Sequence, residues 1–381
     1  MEALEEQLLH LSIAKRSTMK DSTTYILDID VSKSTEEQNS QTVAILCSDK
    51  TIRLYNKETM TCLQEYNARP DVLSGVRFSH TNGNLVFSAC SDGTVKLWDA
   101  RSSGPGAVQV YTGYPSNVFI SFDVSCNDLV VCAGTEKVES DAFLVFWDGR
   151  YIANTESKEP LGAYSESHND DVTQVRFHPT NPSLVATGST DGLVNVFDIN
   201  ENNEDDALTS TCNSDSSVNM IGWAGRDFKQ VYCLTHDEGF LWWDIAQVDT
   251  EEAITLCKVD DMREHVSECH VDYLVDGFYH EKQNTLLLLG GSHNGDISLF
   301  KCNRGQVTHL KNLAGGHTAT VRSVFWCGGD EFLITGGEDA QLLFWKAKAT
   351  SPKKKDSMKM ASSVQQRVRV HSTKSLLTKQ K

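Results

Sequence analysis

Short runs of alternating apolar and polar residues, separated by turn residues, make up most of the chain. In the stretch 171–199 (DVTQVRFHPTNPSLVATGSTDGLVNVFDI), Val172, Val175 and Phe177 form an apolar run that ends in a Pro/Asn-rich turn. A second run covers residues 184–188, and a third covers residues 193–197 after the hairpin signal Asp191-Gly192. Runs of this length between turn signals predict three β-strands.

The same unit recurs along the chain. An Asp or Asn stands six positions before an aromatic residue at the end of each third run, and successive aromatic residues lie 43 to 57 positions apart. A period of this size indicates a repeat architecture. The pairs are Asp49/Tyr55, Asp92/Trp98, Asp141/Trp147, Asp191/Phe197, Asp237/Trp243, Asn294/Phe300 and Asp339/Trp345.

Seven units, each with three strands and a more variable fourth, predict an all-β protein with a single seven-bladed β-propeller. Ring closure protects strand edges that would otherwise invite aggregation. We expect the propeller to occupy residues 1–347 and to be followed by a disordered basic tail, residues 348–381. The blades are expected at about residues 25–66, 72–112, 116–164, 168–212, 216–258, 270–312 and 317–346.

The two ends of the propeller segment suggest how the ring closes. After Trp345 the chain enters a charged segment with Pro352, which is a poor strand, so blade seven lacks an outer strand of its own. Residues 8–14 (LLHLSIA) precede blade one and are expected to supply that strand. The alternative is an N-terminal helix from Glu2 to Leu9, which the Ala/Leu/Glu composition also permits.

The segment 90–101 (CSDGTVKLWDAR) resembles a WD repeat, and Trp98-Asp99 is its characteristic dipeptide. Trp147-Asp148 and Trp243-Asp244 repeat the dipeptide, and Phe197-Asp198 is a close variant. The resemblance covers essentially the whole chain. It implies a seven-bladed propeller that binds other macromolecules and carries no known reaction.

WD blades typically join a His, a Ser or Thr, an Asp and a Trp in one hydrogen-bonded network. We expect no blade of this chain to supply all four. Blade four has His168, Ser189 and Asp191 but ends in Phe197, which has no N–H to donate. Blade seven has Gly337 where a Ser or Thr is expected.

The net charge of −17 combines two opposite contributions. From Lys346 onward there are 11 Lys/Arg and one acid, whereas residues 1–345 hold 24 basic and 51 acidic residues. An acidic propeller repels phosphate, which disfavours nucleic acid as its partner. The basic tail could contact nucleic acid, or its lysines Lys353, Lys354 and Lys355 could form a nuclear localisation signal beside a phosphorylation site at Ser351. The alternative is a solubilising extension.

Composition also bears on the compartment. No run approaches 18 apolar residues, so no membrane span is predicted, and the N-terminus does not have the pattern of a secretory signal. Eleven cysteines in such a chain are expected to be reduced thiols. We therefore expect an intracellular protein of the nucleus, the cytoplasm or both.

Enzyme motifs are absent from the sequence. It contains no phosphate-binding GxxxxGK[ST] loop and no GxGxxG after a strand. His265, Cys269 and His270 lie close together but lack the further ligands of a closed zinc site. We predict no catalytic residue, cofactor or metal, and we expect a non-enzymatic scaffold that binds other proteins.

The first-choice binding surface is the propeller face where the turns between second and third strands meet the loops that enter each first strand. The candidate residues there are Tyr114, Asn169, Asp170, His236 and His293.

A second hypothesis uses the units Trp98-Asp99-Ala100-Arg101 and Trp147-Asp148-Gly149-Arg150. In WD-repeat proteins this unit recurs among substrate receptors of cullin–RING ubiquitin ligases, which dock on a large propeller adaptor. If Arg101 and Arg150 are exposed, their planar guanidinium groups could donate paired hydrogen bonds to such an adaptor. Alternatively, each arginine pairs only with its local Asp.

Overall fold

The computed structural model describes residues 8–33, 41–68, 71–102, 104, 106–114, 117–151, 157–246, 253–313 and 315–347. The predicted tail, with Ser351 and the three lysines, lies outside the described residues, as does most of the alternative helix from Glu2. Seven antiparallel sheets follow one another along the chain, each with four core strands, so the predicted all-β, seven-bladed propeller is confirmed.

In blades 1 to 6 the four core strands run outward from the central channel in chain order, and in blade 7 the outermost strand comes from the N-terminal segment. Blades 1 and 2 consist of β2 (Ile26–Val31), β3 (Thr42–Cys47), β4 (Thr51–Asn56), β5 (Cys62–Asn67), and β6 (Leu73–Phe78), β7 (Leu85–Cys90), β8 (Thr94–Asp99), β9 (Gln109–Thr112). Blades 3 and 4 consist of β10 (Phe119–Val124), β11 (Val130–Thr135), β12 (Leu144–Asp148), β14 (Gly162–Tyr164), and β15 (Gln174–Phe177), β16 (Leu184–Gly188), β17 (Leu193–Asp198), β18 (Leu208–Asn213).

Blades 5 and 6 consist of β19 (Val218–Ala224), β20 (Gln230–Thr235), β21 (Phe240–Asp244), β22 (Ile254–Val259), and β23 (Tyr273–His280), β24 (Thr285–Gly291), β25 (Ile297–Asn303), β26 (Gln306–Leu313). Blade 7 contains β27 (Val321–Cys327), β28 (Phe332–Gly337) and β29 (Gln341–Ala347). Short helices α1 (Glu204–Ala207) and α2 (Met262–His265) and two 3₁₀ turns (Arg226–Phe228 and Glu281–Gln283) lie in the connections.

The core lies between neighbouring blades. Second strands are covered on both faces, so they read as continuous apolar runs: every residue of β24 (TLLLLGG) is buried. Outer strands are more exposed, and four of the six residues of β18 (LTSTCN) are exposed. Buried clusters join each sheet to the next, and apolar packing therefore holds the ring together.

The N-terminal segment closes the ring, as predicted. Strand β1 (Leu11–Thr18) pairs antiparallel with β29, from Leu11 opposite Ala347 to Thr18 opposite Gln341. The predicted bounds, residues 8–14, are wrong because the strand starts three residues later and continues through polar positions. An outer strand tolerates Lys15 and Arg16, since one face meets solvent. The Lys15 Nζ donates to the Glu58 carbonyl at 2.6 Å, which also ties blade 7 to blade 1.

An extra strand joins blades 2 and 3. Strand β13 (Ser157–Lys158) leaves blade 3 and pairs in parallel with β9 of blade 2. The Lys158 Nζ donates to the Asp148 carbonyl at 2.8 Å, so this strap lies against the end of β12. The repeat pattern of the sequence did not predict this strand, because the pattern describes each blade separately and β13 crosses from one blade to the next.

Blade seven has the complete four-residue network, so the expectation that no blade supplies it was wrong. The His317 Nδ1 lies 3.0 Å from Asp339 Oδ1, and its Nε2 lies 2.8 Å from Thr335 Oγ1. The Trp345 Nε1 donates to the same Thr335 hydroxyl at 2.9 Å. The hydroxyl comes from two residues before Gly337, where an added Cβ would lie 3.0 Å from His317 Nδ1.

In blade four, too, the hydroxyl group of the network comes from a residue two positions before the expected one. Its His168 bonds Asp191 Oδ2 at 3.0 Å and Thr187 Oγ1 at 2.8 Å, so Thr187 takes the role assigned to Ser189. The Ser189 hydroxyl instead donates to a backbone carbonyl at 2.9 Å. Phe197 is fully buried in the tryptophan position and donates no hydrogen bond to the network, since its side chain has no N–H.

Candidate functional site

The antiparallel strand order assigns every connection to one of two faces. Turns between second and third strands share a face with the loops that enter first strands, and we call this the upper face. Turns between first and second strands share the opposite, lower face with those between third and fourth strands. The structure therefore puts all five upper-face candidates on one side and both arginines on the other.

Three of the upper-face candidates lie in loops that enter first strands. Tyr114, between β9 and β10, is 45% exposed. Asn169 and Asp170 lie between β14 and β15, and the Asn169 N–H donates to Asp191 Oδ2 at 3.1 Å. The blade-four histidine network therefore fixes the loop, while the Asn169 side chain stays exposed.

The other two candidates lie in turns between second and third strands. His236 is exposed, with its Nδ1 3.0 Å from Ser217 Oγ. His293 is exposed as well, and its backbone N–H donates to Asp272 Oδ2 at 2.8 Å. Both rings therefore sit on anchored backbones, which limits the conformational entropy they lose on binding.

The central channel contains a cavity of about 590 Å³. Of the five upper-face candidates, His293 lines it, together with Glu238 from the neighbouring blade. Glu238 has a left-handed backbone (φ 64°), and its Oε2 accepts the Leu274 N–H at 2.5 Å. Burial raises the pKa of Glu238. Lys50 and Ala340 have the same left-handed conformation in the corresponding turns of blades 1 and 7, so this backbone geometry belongs to the turn between second and third strands of the repeat.

A charged ring inside this channel was missed by sequence reasoning. The penultimate residues of the first strands in blades 1 to 4 are Asp30, Arg77, Asp123 and Arg176, so opposite charges alternate around the ring. The signal was present as one charged residue between apolar neighbours in IDV, VRF, FDV and VRF. It emerges when the first strands are aligned by their ends.

Part of this ring fastens adjacent blades. The Arg77 Nη1 lies 2.7 Å from Asp28 Oδ2, which also accepts the Val76 N–H at 2.9 Å. Likewise, Asp30 accepts the Phe78 N–H at 2.6 Å, from blade 2 to blade 1. Carboxylates that accept backbone N–H groups across a blade boundary hold the boundary in register.

The remaining charges of the channel are less well compensated. Asp276 of β23 accepts the N–H of the adjacent Gly277 at 2.7 Å, and burial raises the pKa of Asp276 to about 6. Burial, followed by repulsion from Arg77, lowers the pKa of Arg176. Both shifts mean that the cavity penalises the charged form of each group.

The two lower-face arginines extend into solvent. Arg101 and Arg150 are 61% and 67% exposed, and each guanidinium forms a two-point pair with the Asp two residues earlier. The side-chain hydrogen bond from Arg150 lowers the pKa of Asp148 to about 2. Each arginine therefore pairs with its local Asp, and both guanidinium groups lie on the lower face.

The described residues contain no group of three or more His, Cys, Asp or Glu that could hold a metal ion. The His270 Nε2 lies 2.9 Å from Asp272 Oδ1. All eleven cysteines are free. Within the described part of the chain, no helix is long and apolar enough to cross a membrane.

Comparison with known proteins identifies the repeat. The family model "WD domain, G-beta repeat" matches residues 60–99, 158–198 and 307–346. The chain is 30% identical over 324 residues to "WD repeat-containing protein GTS1" of Arabidopsis thaliana, covering 80% of this chain and 78% of the relative. It is 28% identical over 332 residues to "WD repeat-containing protein 89 homolog" of Dictyostelium discoideum, covering 85% and 83%.

More distant similarity extends to proteins whose names mention assemblies. "DDB1- and CUL4-associated factor 13" of Danio rerio is 22% identical, over 79% of this chain and 61% of the relative. A chain in the crystal structure of the mitotic checkpoint complex superposes with a TM-score of 0.64 at 15% identity, covering 89% of this chain and 92% of that one. The structural likeness shows the fold alone.

Proposed function

Because this chain belongs to the WD-repeat family of β-propeller proteins, we propose that it is a non-enzymatic protein–protein interaction scaffold whose upper face binds its partner. The observation that supports the proposal is that exposed side chains from separate blades lie on that face. They are Tyr114, Asn169, His236 and His293, and the partly buried Asp170 lies beside Asn169.

Rigid anchoring supports this surface as a binding site. The loops that bear Asn169 and His293 are held by hydrogen bonds from their backbone N–H groups to Asp191 and Asp272. Exposed polar and aromatic groups on fixed backbones bind with little ordering cost, and aromatic residues are enriched in binding hot spots. The acidic body favours a basic partner surface through electrostatic attraction.

Affinity purification from cells tests the proposal. The triple variant Tyr114→Ala, His236→Ala, His293→Ala should lose the proteins that co-purify with the wild type, because it removes three exposed groups and leaves the blade cores intact. The double variant Arg101→Ala, Arg150→Ala is the matched control on the lower face. An unchanged set of partners for the triple variant would refute upper-face binding.

The second candidate function is that of a substrate receptor in a cullin–RING ubiquitin ligase. Two observations favour it: Arg101 and Arg150 project from one face of adjacent blades, and the chain is similar to a protein whose name associates it with DDB1 and CUL4. In this case the arginine double variant should fold normally and lose the ligase adaptor. If wild-type protein recovers no adaptor, this candidate fails, and the arginines serve only their local Asp pairs.

A further inference from the structure

The upper face repeats one backbone position from blade to blade. This position lies at most three residues before the first strand, and in six blades its carbonyl accepts an N–H from the turn between second and third strands. The Ser48 N–H donates to the Tyr25 carbonyl at 2.9 Å, and the Ser91 N–H donates to the Val72 carbonyl at 2.8 Å. The repeated bond makes these residues equivalent, so their side chains can be compared. They are Tyr25, Val72, Val118, Asp171, Ser217 and Thr320 in blades 1 to 5 and 7.

Three neighbouring blades carry an apolar side chain at this position. Tyr25 is 40% exposed and Val72 is 54% exposed, whereas Val118 is partly exposed. Leu27, two residues after Tyr25, is 38% exposed and lines the channel cavity. The equivalent residues of blades 4, 5 and 7 are polar, so the apolar side chains occupy one sector of the ring. We call Tyr25, Leu27, Val72 and Val118 the apolar arc.

Hydrogen bonds between first strands hold the three blades of the apolar arc side by side. Asp28 Oδ2 of blade 1 accepts the Val76 N–H of blade 2 at 2.9 Å. The Ser74 hydroxyl of blade 2 donates to the Phe119 carbonyl of blade 3 at 2.8 Å. Single exposed apolar side chains are ordinary on a protein surface, but a group of neighbouring ones on one face is typical of an interaction site.

The two most exposed members of the arc are held by both of their backbone polar groups. Besides the carbonyl bonds, the Tyr25 N–H donates to Ser48 Oγ at 2.9 Å, and the Val72 N–H donates to Ser91 Oγ at 3.1 Å. A side chain on a fixed backbone loses less conformational entropy when it binds, so the arc is preorganised for a partner.

Negative charge adjoins the arc at its blade 3 end. The segments 136–141 and 165–171 together contain six acids and one lysine, and we call them the acidic flank. The Glu136 N–H donates to the Val118 carbonyl at 2.9 Å, which places the flank directly beside the arc. Glu136 and Glu166 are exposed, and neither forms an ion pair with a described residue. Charge of this sign favours Lys or Arg on a partner.

We propose that the apolar arc binds a segment of a partner protein that carries a bulky apolar side chain with Lys or Arg beside it. The apolar side chain packs on Tyr25 and Val72, and the basic residues lie over the acidic flank. A second copy of this acidic propeller or a nucleic acid fits less well, because each would bring further negative charge against the flank. This inference rests on the proposed scaffold function and specifies the chemistry of the partner.

Selection from a library of short random peptides displayed on phage tests this chemistry. Peptides enriched on the wild-type protein should combine an aromatic or large aliphatic residue with Lys or Arg. In fluorescence polarisation, replacement of that apolar residue by Ala should weaken an enriched peptide at least tenfold. Replacement of its Lys and Arg by Gln should weaken it several-fold at low salt, where charges are least screened. No enrichment, or enriched peptides that keep their affinity after either replacement, would overturn the proposal.

Matched variants locate the site on the arc. The double variant Tyr25→Ser, Val72→Ser should bind an enriched peptide at least tenfold more weakly than the wild type. Leu63→Ser is the control and should leave the affinity unchanged, because Leu63 is 58% exposed on the outer strand of blade 1. Circular dichroism checks folding, and Val72→Thr, which keeps the shape of the side chain, replaces the double variant if that variant does not fold. Wild-type affinity in the arc variant would place the peptide elsewhere and overturn the proposal.

Partner capture separates this inference from the scaffold proposal. If the arc variant captures the same proteins as the wild type and the triple variant Tyr114→Ala, His236→Ala, His293→Ala does not, the inference fails and the scaffold proposal stands. If wild-type protein captures no partner, both fail. A wild-type dimer in sedimentation velocity that the arc variant dissociates would make a second copy the occupant and overturn the inference.

Discussion

Closure of the ring by the N-terminal segment can be tested at two adjacent leucines. Leu8 is 1% exposed and belongs to the buried cluster that contains Leu11, Leu343 and Trp345, so it fastens the segment to blade 7. Leu9, the next residue, is 48% exposed. The substitutions Leu8→Ala and Leu9→Ala therefore remove the same atoms from opposite environments.

The difference in burial between Leu8 and Leu9 determines how much free energy of unfolding each substitution should remove. Truncation of a fully buried leucine costs about 2–5 kcal/mol, from lost apolar transfer and from the cavity left behind. An exposed leucine costs within about 0.5 kcal/mol. For a domain of this size, the Leu8→Ala loss corresponds to a melting temperature lower by roughly 3–8 °C. The release of β1 would then expose the edge of β29 and promote association.

Urea titration followed by tryptophan fluorescence measures this loss, because Trp345 packs in the same cluster. Light scattering on the same samples reports association. We expect a lower unfolding midpoint and earlier association for Leu8→Ala, and wild-type behaviour for Leu9→Ala. Equal midpoints for the two variants would show that the segment does not stabilise the ring.

Three further predictions concern the blade network, the channel and the tail. Thr335→Val should lower the free energy of unfolding by about 1–3 kcal/mol, because it removes the hydroxyl shared by the blade-seven histidine and tryptophan. Thr187→Val should cost less by urea titration, since blade four has no tryptophan donor, and a larger loss there would contradict the network. The pKa of Asp276 is about 6 when folded and near 3.8 when unfolded, so its stabilising protonation is complete below pH 3.8 and is lost as pH rises through 6. Asp276→Asn should therefore be more stable than wild type at pH 7.5, by on the order of 1–2 kcal/mol after allowance for solvent in the channel, and this advantage should vanish near pH 4. A constant advantage across that range in urea titrations would show that Asp276 is not the titrating group. In the tail, the triple substitution Lys353→Ala, Lys354→Ala, Lys355→Ala should shift a fluorescently tagged protein toward the cytoplasm, and Ser351→Glu should shift it less. If the triple variant has the same distribution between nucleus and cytoplasm as the wild type, the three lysines are not a nuclear localisation signal.

The number of blades and their order were predictable from sequence because one local element repeats. A turn with an Asp or Asn and an aromatic residue near the end of the third strand occur once per blade, and insertions in the neighbouring loops do not change the spacing within this element. Closure was predictable for a related reason. Blade 7 ends without a fourth strand, and the ring needs one.

Features that depend on side-chain direction were harder to predict. The hydroxyl of the blade-seven network comes from Thr335 and not from position 337. Both positions lie on the same face of β28, but Trp345 pairs with Leu333, so Thr335 is the nearer of the two and its hydroxyl accepts the Trp345 Nε1–H. The charged ring was not predicted because each of blades 1 to 4 contributes only one charged residue to it. Pairs such as Arg77 and Asp28 form between strands 49 positions apart, so no local window contains both partners.

The placement of binding on the upper face is tested most directly by hydrogen–deuterium exchange on the propeller with and without a captured partner. Our account predicts that protection on binding is confined to loops of the upper face, among them those that carry Tyr114, Asn169, His236 and His293, and that the segments around Arg101 and Arg150 exchange as in the free protein. Protection of the arginine segments without change in the upper-face loops would contradict the account and favour docking through the lower face.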